Sequence, residues 1–220
     1  MTARICVSIL PKTVSEALRL IEKAEAANAD LIEVRLDSIE KRGELADLAA
    51  HGKTPKIATD MSSRPETEQR HLLLSAAKSG FKYVDAELSK PRLKDLVQEL
   101  KALGAKPIVS FHKSDGSLGI SELNSILEGE ISSGADVCKI VTTAKRIEDN
   151  LSILNFTSTA SSKAKLVCFC MGDLGKVSRL LSPLFGGFFT FAALERGNKT
   201  ASGQMTIQEM KAAYNLLGQK

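Results

Sequence analysis

No stretch of this 220-residue sequence approaches the roughly 20 consecutive apolar residues that a bilayer crossing needs. The N-terminus runs directly into a strand-like segment instead of a signal peptide, so a cytosolic location is expected. Basic runs and interleaved aromatics are also missing. Thirty Lys and Arg oppose 26 Asp and Glu, and the resulting net charge of +4 is scattered along the chain. That excludes the usual footprint of a nucleic-acid binder and leaves a mild preference for anionic small molecules. Cysteine and histidine are scarce. Cys6, Cys138, Cys168 and Cys170 lie inside apolar runs and read as small hydrophobes, with Cys168 and Cys170 expected on opposite faces of one strand. His51, His71 and His112 show no ligand spacing, so no metal is expected. The glycine-rich turn of a dinucleotide fold is absent from Ser8 to Lys12, which counts against an open doubly wound sheet.

What is present is an alternation of short β-branched runs with amphipathic helical stretches, the pattern of a parallel sheet with helical crossovers. Strands are predicted at 4–10, 31–37, 55–60, 81–88, 106–113, 135–144, 165–172 and 188–194. Helices are predicted over 13–28, 66–79, 91–103, 121–133, 146–158 and 206–217, with Gly80, Gly104 and Gly134 where helices stop. Eight such units, with no linker or composition break, predict a single (β/α)8 TIM barrel over residues 1–220.

Strands in a barrel are buried on both faces, so charged residues inside them need a partner or a use. Glu33, Arg35 and Asp37 alternate along the second strand and are expected to face the interior, either as an ion pair or as a polar patch for substrate hydroxyls. Asp85 and Glu87 repeat that spacing on the fourth strand. They suit acid and base chemistry or the neutralisation of Arg35 or Lys139, and are read as electrostatic support. His112 ends the fifth strand at the C-terminal mouth, where barrel active sites lie. Lys139 stands mid-strand in Asp136-Val137-Cys138-Lys139-Ile140-Val141. Desolvation there is expected to lower its pKa and free the amine to attack a carbonyl, with a snorkelling lysine as the alternative; His112 reads as a catalytic group at the mouth, with a satisfied structural histidine as the alternative.

Two loops complete the expected site. Met171-Gly172 through Ser178-Arg179 leads into a short helix whose N-terminus and arginine suit a carboxylate or phosphate, although it lacks the full phosphate-loop pattern. Residues 195–204 form a polar loop long enough to fold over the mouth.

The Glu33-to-Asp37 strand, Ser110-Phe111-His112, Asp136-to-Lys139, Met171-Gly172 with Ser178-Arg179, and the closing Thr200-Ala201-Ser202-Gly203-Gln204 together resemble the type I 3-dehydroquinate dehydratases, nearly end to end. The resemblance implies dehydration of 3-dehydroquinate to 3-dehydroshikimate in the shikimate pathway, through a lysine imine and with no metal or organic cofactor. It implies Lys139 as the imine lysine and His112 as the acid and base. Arg179 would hold the substrate carboxylate and Glu33, Arg35 and Gln204 its hydroxyls, with Thr200 and Ser8 at the periphery. The family commonly forms dimers. It usually follows its third strand with an arginine and, four positions on, a glutamate that orients the histidine, whereas an ungapped match here gives Met61 and Pro65; Arg64 and Glu66 lie close by as substitutes. The rival readings are a Schiff-base aldolase barrel and a non-catalytic barrel that binds a small acid.

Overall fold

The computed structural model describes residues 3–40, 45–197 and 200–219, and two positions of the closing loop, 198–199, lie outside them. Within the described residues eight parallel strands curl into a nearly closed barrel: β1 (Ile5–Ile9), β2 (Leu31–Arg35), β3 (Lys56–Thr59), β4 (Tyr83–Glu87), β5 (Lys106–His112), β6 (Val137–Thr143), β7 (Leu166–Met171) and β8 (Thr190–Ala193). Their hydrogen-bonded order is β7-β6-β5-β4-β3-β2-β1-β8, and the Phe188 amide donates to the Leu166 carbonyl at 2.7 Å across the remaining seam. Eight helices cover the outside: α1 (Val14–Ala26), α2 (Leu45–Ala50), α3 (Glu66–Lys78), α4 (Leu93–Ala102), α5 (Ile120–Ser132), α6 (Asp149–Ala160), α7 (Lys176–Leu181) and α8 (Ile207–Leu216). This is the (β/α)8 barrel expected from the sequence.

Helices α1 and α8 start on side-chain caps. Thr13 accepts the Glu16 amide at 3.1 Å to start α1, and Ala17, Leu20, Ile21 and Ala24 then fall on one buried face. Thr206 and Glu209 close a reciprocal capping box on α8. Helix α2, only six residues long, was not among the helices the sequence pattern singled out. The second strand is also shorter than its apolar pattern: Leu36–Ser38 turns into a 3-10 helix, so Asp37 lies beyond the strand.

The strand period sorts side chains into two cores. Cys6, Leu31, Ile57, Tyr83, Ile108, Val137, Val167, Phe169 and Phe191 fill the barrel interior, while their sequence neighbours pack outward against helices. Cys168 and Cys170 both join Cys138 in the outer layer. Their expected placement on opposite faces is therefore wrong, because residues two apart along a strand share a face. Burial raises the thiols of Cys168 and Cys170, which keeps them protonated and inert.

Glu130 of α5 is wholly buried behind β6. Burial pushes its carboxyl up to about 9, against a smaller downward pull from the Lys139 backbone and the Cys138 thiol. Between pH 4.5 and 9 the folded chain thus holds a proton that the unfolded chain has released. This group's contribution to stability is complete below about pH 4.5 and declines as pH rises, by at most about 1.4 kcal/mol per pH unit. Glu130→Gln is expected to remove that dependence, so urea midpoints at pH 5 and pH 8.5 should converge relative to the unmodified chain. Equal convergence in both proteins would show that Glu130 is not buried as an acid.

Candidate active site

The inward-facing positions change character along the barrel axis: apolar at the bottom, charged toward the C-terminal mouth. One row of the parallel ladder sets Glu87 beside Ser110 and Ser110 beside Lys139. On the other side of the barrel Ser8 pairs with Glu33, and Arg35 with Thr59. The two-residue period turns all of these side chains inward, so four acidic or basic strand residues meet in one interior.

Lys139 is 5% exposed, with its Nζ 2.7 Å from Asp85 Oδ2, 4.0 Å from Glu33 Oε1 and 4.8 Å above the Phe191 ring centre. Burial pulls the amine down, but the Asp85 charge and then the Glu33 charge outweigh it, and the net displacement is upward. The expectation of a lowered lysine pKa is therefore corrected. It considered desolvation without the carboxylates that the neighbouring strands bring to the amine. Asp85 moves the opposite way: burial would raise it, yet Lys139 and His112 hold it below the ordinary carboxylate range. At neutral pH the two form a buried ion pair. Asp85 thus neutralises Lys139, one of the roles read from its sequence spacing.

Glu33 is clamped from both sides, with Ser8 Oγ donating to one carboxylate oxygen and Thr59 Oγ1 to the other, the latter at 2.9 Å. Ser8 supports Glu33 instead of lining the cavity. Arg35 donates a bidentate pair to Asp37, at 2.9 and 2.7 Å, so Asp37 serves the site from the turn after β2. His112 Nδ1 lies 2.9 Å from Glu87 Oε2. The histidine's carboxylate partner therefore comes from β4, not from the loop after β3. Asp85 and Glu87 were absent from the expected site residues, although their inward i, i+2 spacing was the signal that marked them.

The loops close the mouth. Arg179, on α7, is 1% exposed, with its guanidinium carbon 4.2 Å above the Phe169 ring and one amine donating to the Ser202 carbonyl at 3.4 Å. Its Nε has no hydrogen-bond partner, and among the described residues no carboxylate pairs with it. Burial lowers this guanidinium to about 10. Gln204 Oε1 accepts the Thr200 amide at 2.7 Å while its Nε2 donates to Thr200 Oγ1 at 2.8 Å, folding 200–204 into a compact turn. That turn sits on the loop after β7, where Gly172 donates to the Ser202 carbonyl at 3.3 Å. Gly203 has φ +75°, and a Cβ there would come within 2.0 Å of the Gly172 carbonyl oxygen, so only glycine allows the approach.

These elements enclose a cavity of about 150 Å3 walled by Glu33, Arg35, His112, Lys139, Arg179 and Gln204, with Thr59, Met61, Phe191 and Thr200 among its further lining residues. Seven of the nine expected site residues converge there. Ser8 stands behind Glu33, and Arg64 is turned back toward Asp60, with Nη1 3.5 Å from Oδ2 and no share in the cavity wall. Glu66, the other candidate beside the third strand, is the exposed first residue of α3 and lines no part of it.

A barrel whose mouth holds a buried amine, a carboxylate-oriented imidazole and an anion-seeking guanidinium around one small cavity has the make-up of an enzyme acting on a small organic acid. The family model for type I 3-dehydroquinase matches residues 5–220, and the chain belongs to that family. A 3-dehydroquinate dehydratase of Pyrococcus abyssi is 32% identical over 98% of this chain and 99% of its own length. One from Dehalococcoides mccartyi is 39% identical, over 68% of this chain and 66% of its own. The crystal structure of 3-dehydroquinate dehydratase from Geobacillus kaustophilus superposes with a TM-score of 0.86 at 26% identity, covering 98% of this chain and 91% of that one.

Proposed function

We propose that the chain, as one catalytic domain over residues 1–220, dehydrates 3-dehydroquinate to 3-dehydroshikimate in the shikimate pathway of aromatic amino-acid biosynthesis. Lys139 attacks the C3 ketone, and the protonated imine withdraws electrons from C2. His112 removes the C2 proton and delivers it to the C1 hydroxyl, which leaves as water; hydrolysis of the imine then frees the lysine. Arg179 holds the carboxylate, and Glu33, Arg35 and Gln204 orient the ring hydroxyls, with Thr200 at the rim. Ser8 acts through Glu33. Arg64 contributes at most from outside the cavity, given its turn toward Asp60.

The observation that carries this reading is the shared cavity, in which the Lys139 amine, the His112 ring and the uncompensated Arg179 face one another. Borohydride reduction with 3-dehydroquinate tests it: a stable mass adduct on Lys139 is expected, and its absence would show binding without imine chemistry. Sugar phosphates should not be cleaved, which separates the reading from an aldolase barrel. Arg179→Met is expected to raise KM about 10- to 100-fold with a smaller change in kcat, the value of a charge-assisted bidentate contact to the substrate. An unchanged KM would remove Arg179 from carboxylate binding.

We further place the enzyme in the cytoplasm and in a homodimer. In support, no described helix is long and apolar enough to cross a membrane. Exposed Ile147, Leu151, Leu174 and Val177, on the neighbouring α6 and α7 segments, give a second copy an apolar surface. Light scattering that returns a monomer mass at micromolar concentration would overturn the dimer.

A further inference from the structure

The amine that must act as a nucleophile is held as an ammonium by its own surroundings, and the imine reading leaves open where its proton goes. The side chains of three adjacent strands supply a continuous path. Lys139 Nζ donates to Asp85 Oδ2 at 2.7 Å, and Ser110 Oγ donates to Asp85 Oδ1 at 2.6 Å. The same hydroxyl stands 3.3 Å from Glu87 Oε2, which is 2.9 Å from His112 Nδ1. The path follows from register, since Glu87, Ser110 and Lys139 are lateral neighbours in the ladder and all turn inward. Ser110 is wholly buried, and neither cavity that His112 lines includes it. Its hydroxyl therefore touches the two carboxylates and is placed away from substrate.

We propose that Asp85, Ser110 and Glu87 form a proton relay between Lys139 and His112, with the Ser110 hydroxyl as its switching element. The proposal rests on the imine reading and extends it. Asp85 takes the ammonium proton, and a half-turn of its carboxyl group presents that proton to Ser110 Oγ. The hydroxyl then turns its own hydrogen to Glu87, which passes a proton to Nδ1 of a neutral His112 that carries its hydrogen on Nε2. The freed amine bonds to the ketone carbon, one of its protons moves to the new alkoxide to give the neutral carbinolamine, and His112 returns a second proton to that oxygen, which leaves as water. Ammonium plus ketone thus becomes protonated imine plus water, with no proton gained or lost overall. Ser110 is a positioning residue in this scheme, since it acts only through its neighbours. The charged and titratable groups that face the path are Cys6 on β1, Glu33 and Arg35 on β2, Asp85 and Glu87 on β4, His112 on β5 and the buried Glu130 of α5 behind β6. Asp85, Glu87 and His112 also line a second cavity, of about 270 Å3, that Lys139 does not reach.

The test is the rate of imine formation, read by rapid quench into borohydride across pH 6 to 9, in the unmodified enzyme and in Ser110→Ala and Ser110→Thr. The alanine variant is expected to form the Lys139 adduct about 10- to 100-fold more slowly at neutral pH, a typical share of a proton-transfer step. The deficit should persist across this range, because the Asp85 and Glu33 charges keep the amine an ammonium throughout it. The threonine variant, which keeps a hydroxyl, is expected to recover most of the rate. Adduct formation in Ser110→Ala at the unmodified rate throughout sinks the relay while leaving the imine reading intact. So does an equal deficit in the alanine and threonine variants when both melt at the unmodified temperature. Failure of the unmodified enzyme to form any adduct sinks the imine reading and the relay together.

Discussion

Replacing Lys139 with Ala is expected to reduce turnover at least about 10,000-fold and to eliminate the borohydride adduct, because no other described residue presents an amine to the cavity beside His112. The substitution also strands Asp85, which is 4% exposed and bound to Lys139 at 2.7 Å. Removing one partner of a buried ion pair typically costs about 3–5 kcal/mol, so the alanine variant should melt at a lower temperature. Lys139→Arg separates the two effects. It keeps a cation against Asp85 and should recover much of the stability, yet a guanidinium does not give up its proton and should restore no activity. Recovery of turnover by the arginine variant would mean that Lys139 acts through its charge alone.

His112→Ala is expected to lower kcat about 100- to 10,000-fold while still yielding some adduct when trapped with substrate. The imidazole stands at the end of β5 in the cavity wall, beside Glu87, and the proposed mechanism gives it the proton transfer between ring carbon and leaving hydroxyl. Its loss should therefore slow imine formation without preventing it, and leave the covalent intermediate, once formed, unable to go on. A variant that turns over normally would overturn the assignment, and one that forms no adduct would make His112 essential to the first step alone.

The parts of this molecule that were readable in advance are those governed by strand and helix period. Eight apolar runs marked eight strands within one or two residues, and the alternation around Glu33, Arg35 and Lys139 placed their side chains inside. What the sequence did not convey depends on which strands lie side by side and at what height. Nothing local to Lys139 says that Asp85 will meet it, because the two are 54 residues apart and come together only through barrel register. The direction of the lysine shift was missed for that reason: burial is legible from one strand, whereas compensation requires its neighbours. The same holds for His112, whose partner was sought in the loop after β3 and is supplied by β4. Arg64 was assigned a cavity position from proximity in sequence, but the loop turns its side chain onto Asp60, 3.5 Å away. Helix α2 is brief and left no long periodic signal.

The barrel divides its labour by element. In the proposed mechanism, proton handling falls to side chains fixed on β4, β5 and β6, while the guanidinium and the amide proposed to meet the ligand's periphery are borne by α7 and the segment after β8. The first set is locked by main-chain ladders; α7 is held by Ser178, which bonds Cys170 and Asn150, and by Thr190 on the Arg179 carbonyl, while Gln204 follows directly on the tight crossing of Gly203 and Gly172. A substitution at that crossing is therefore expected to displace the amide beside the cavity while the ladder-held groups of β4, β5 and β6 stay in place, so the two halves of the mouth can vary separately.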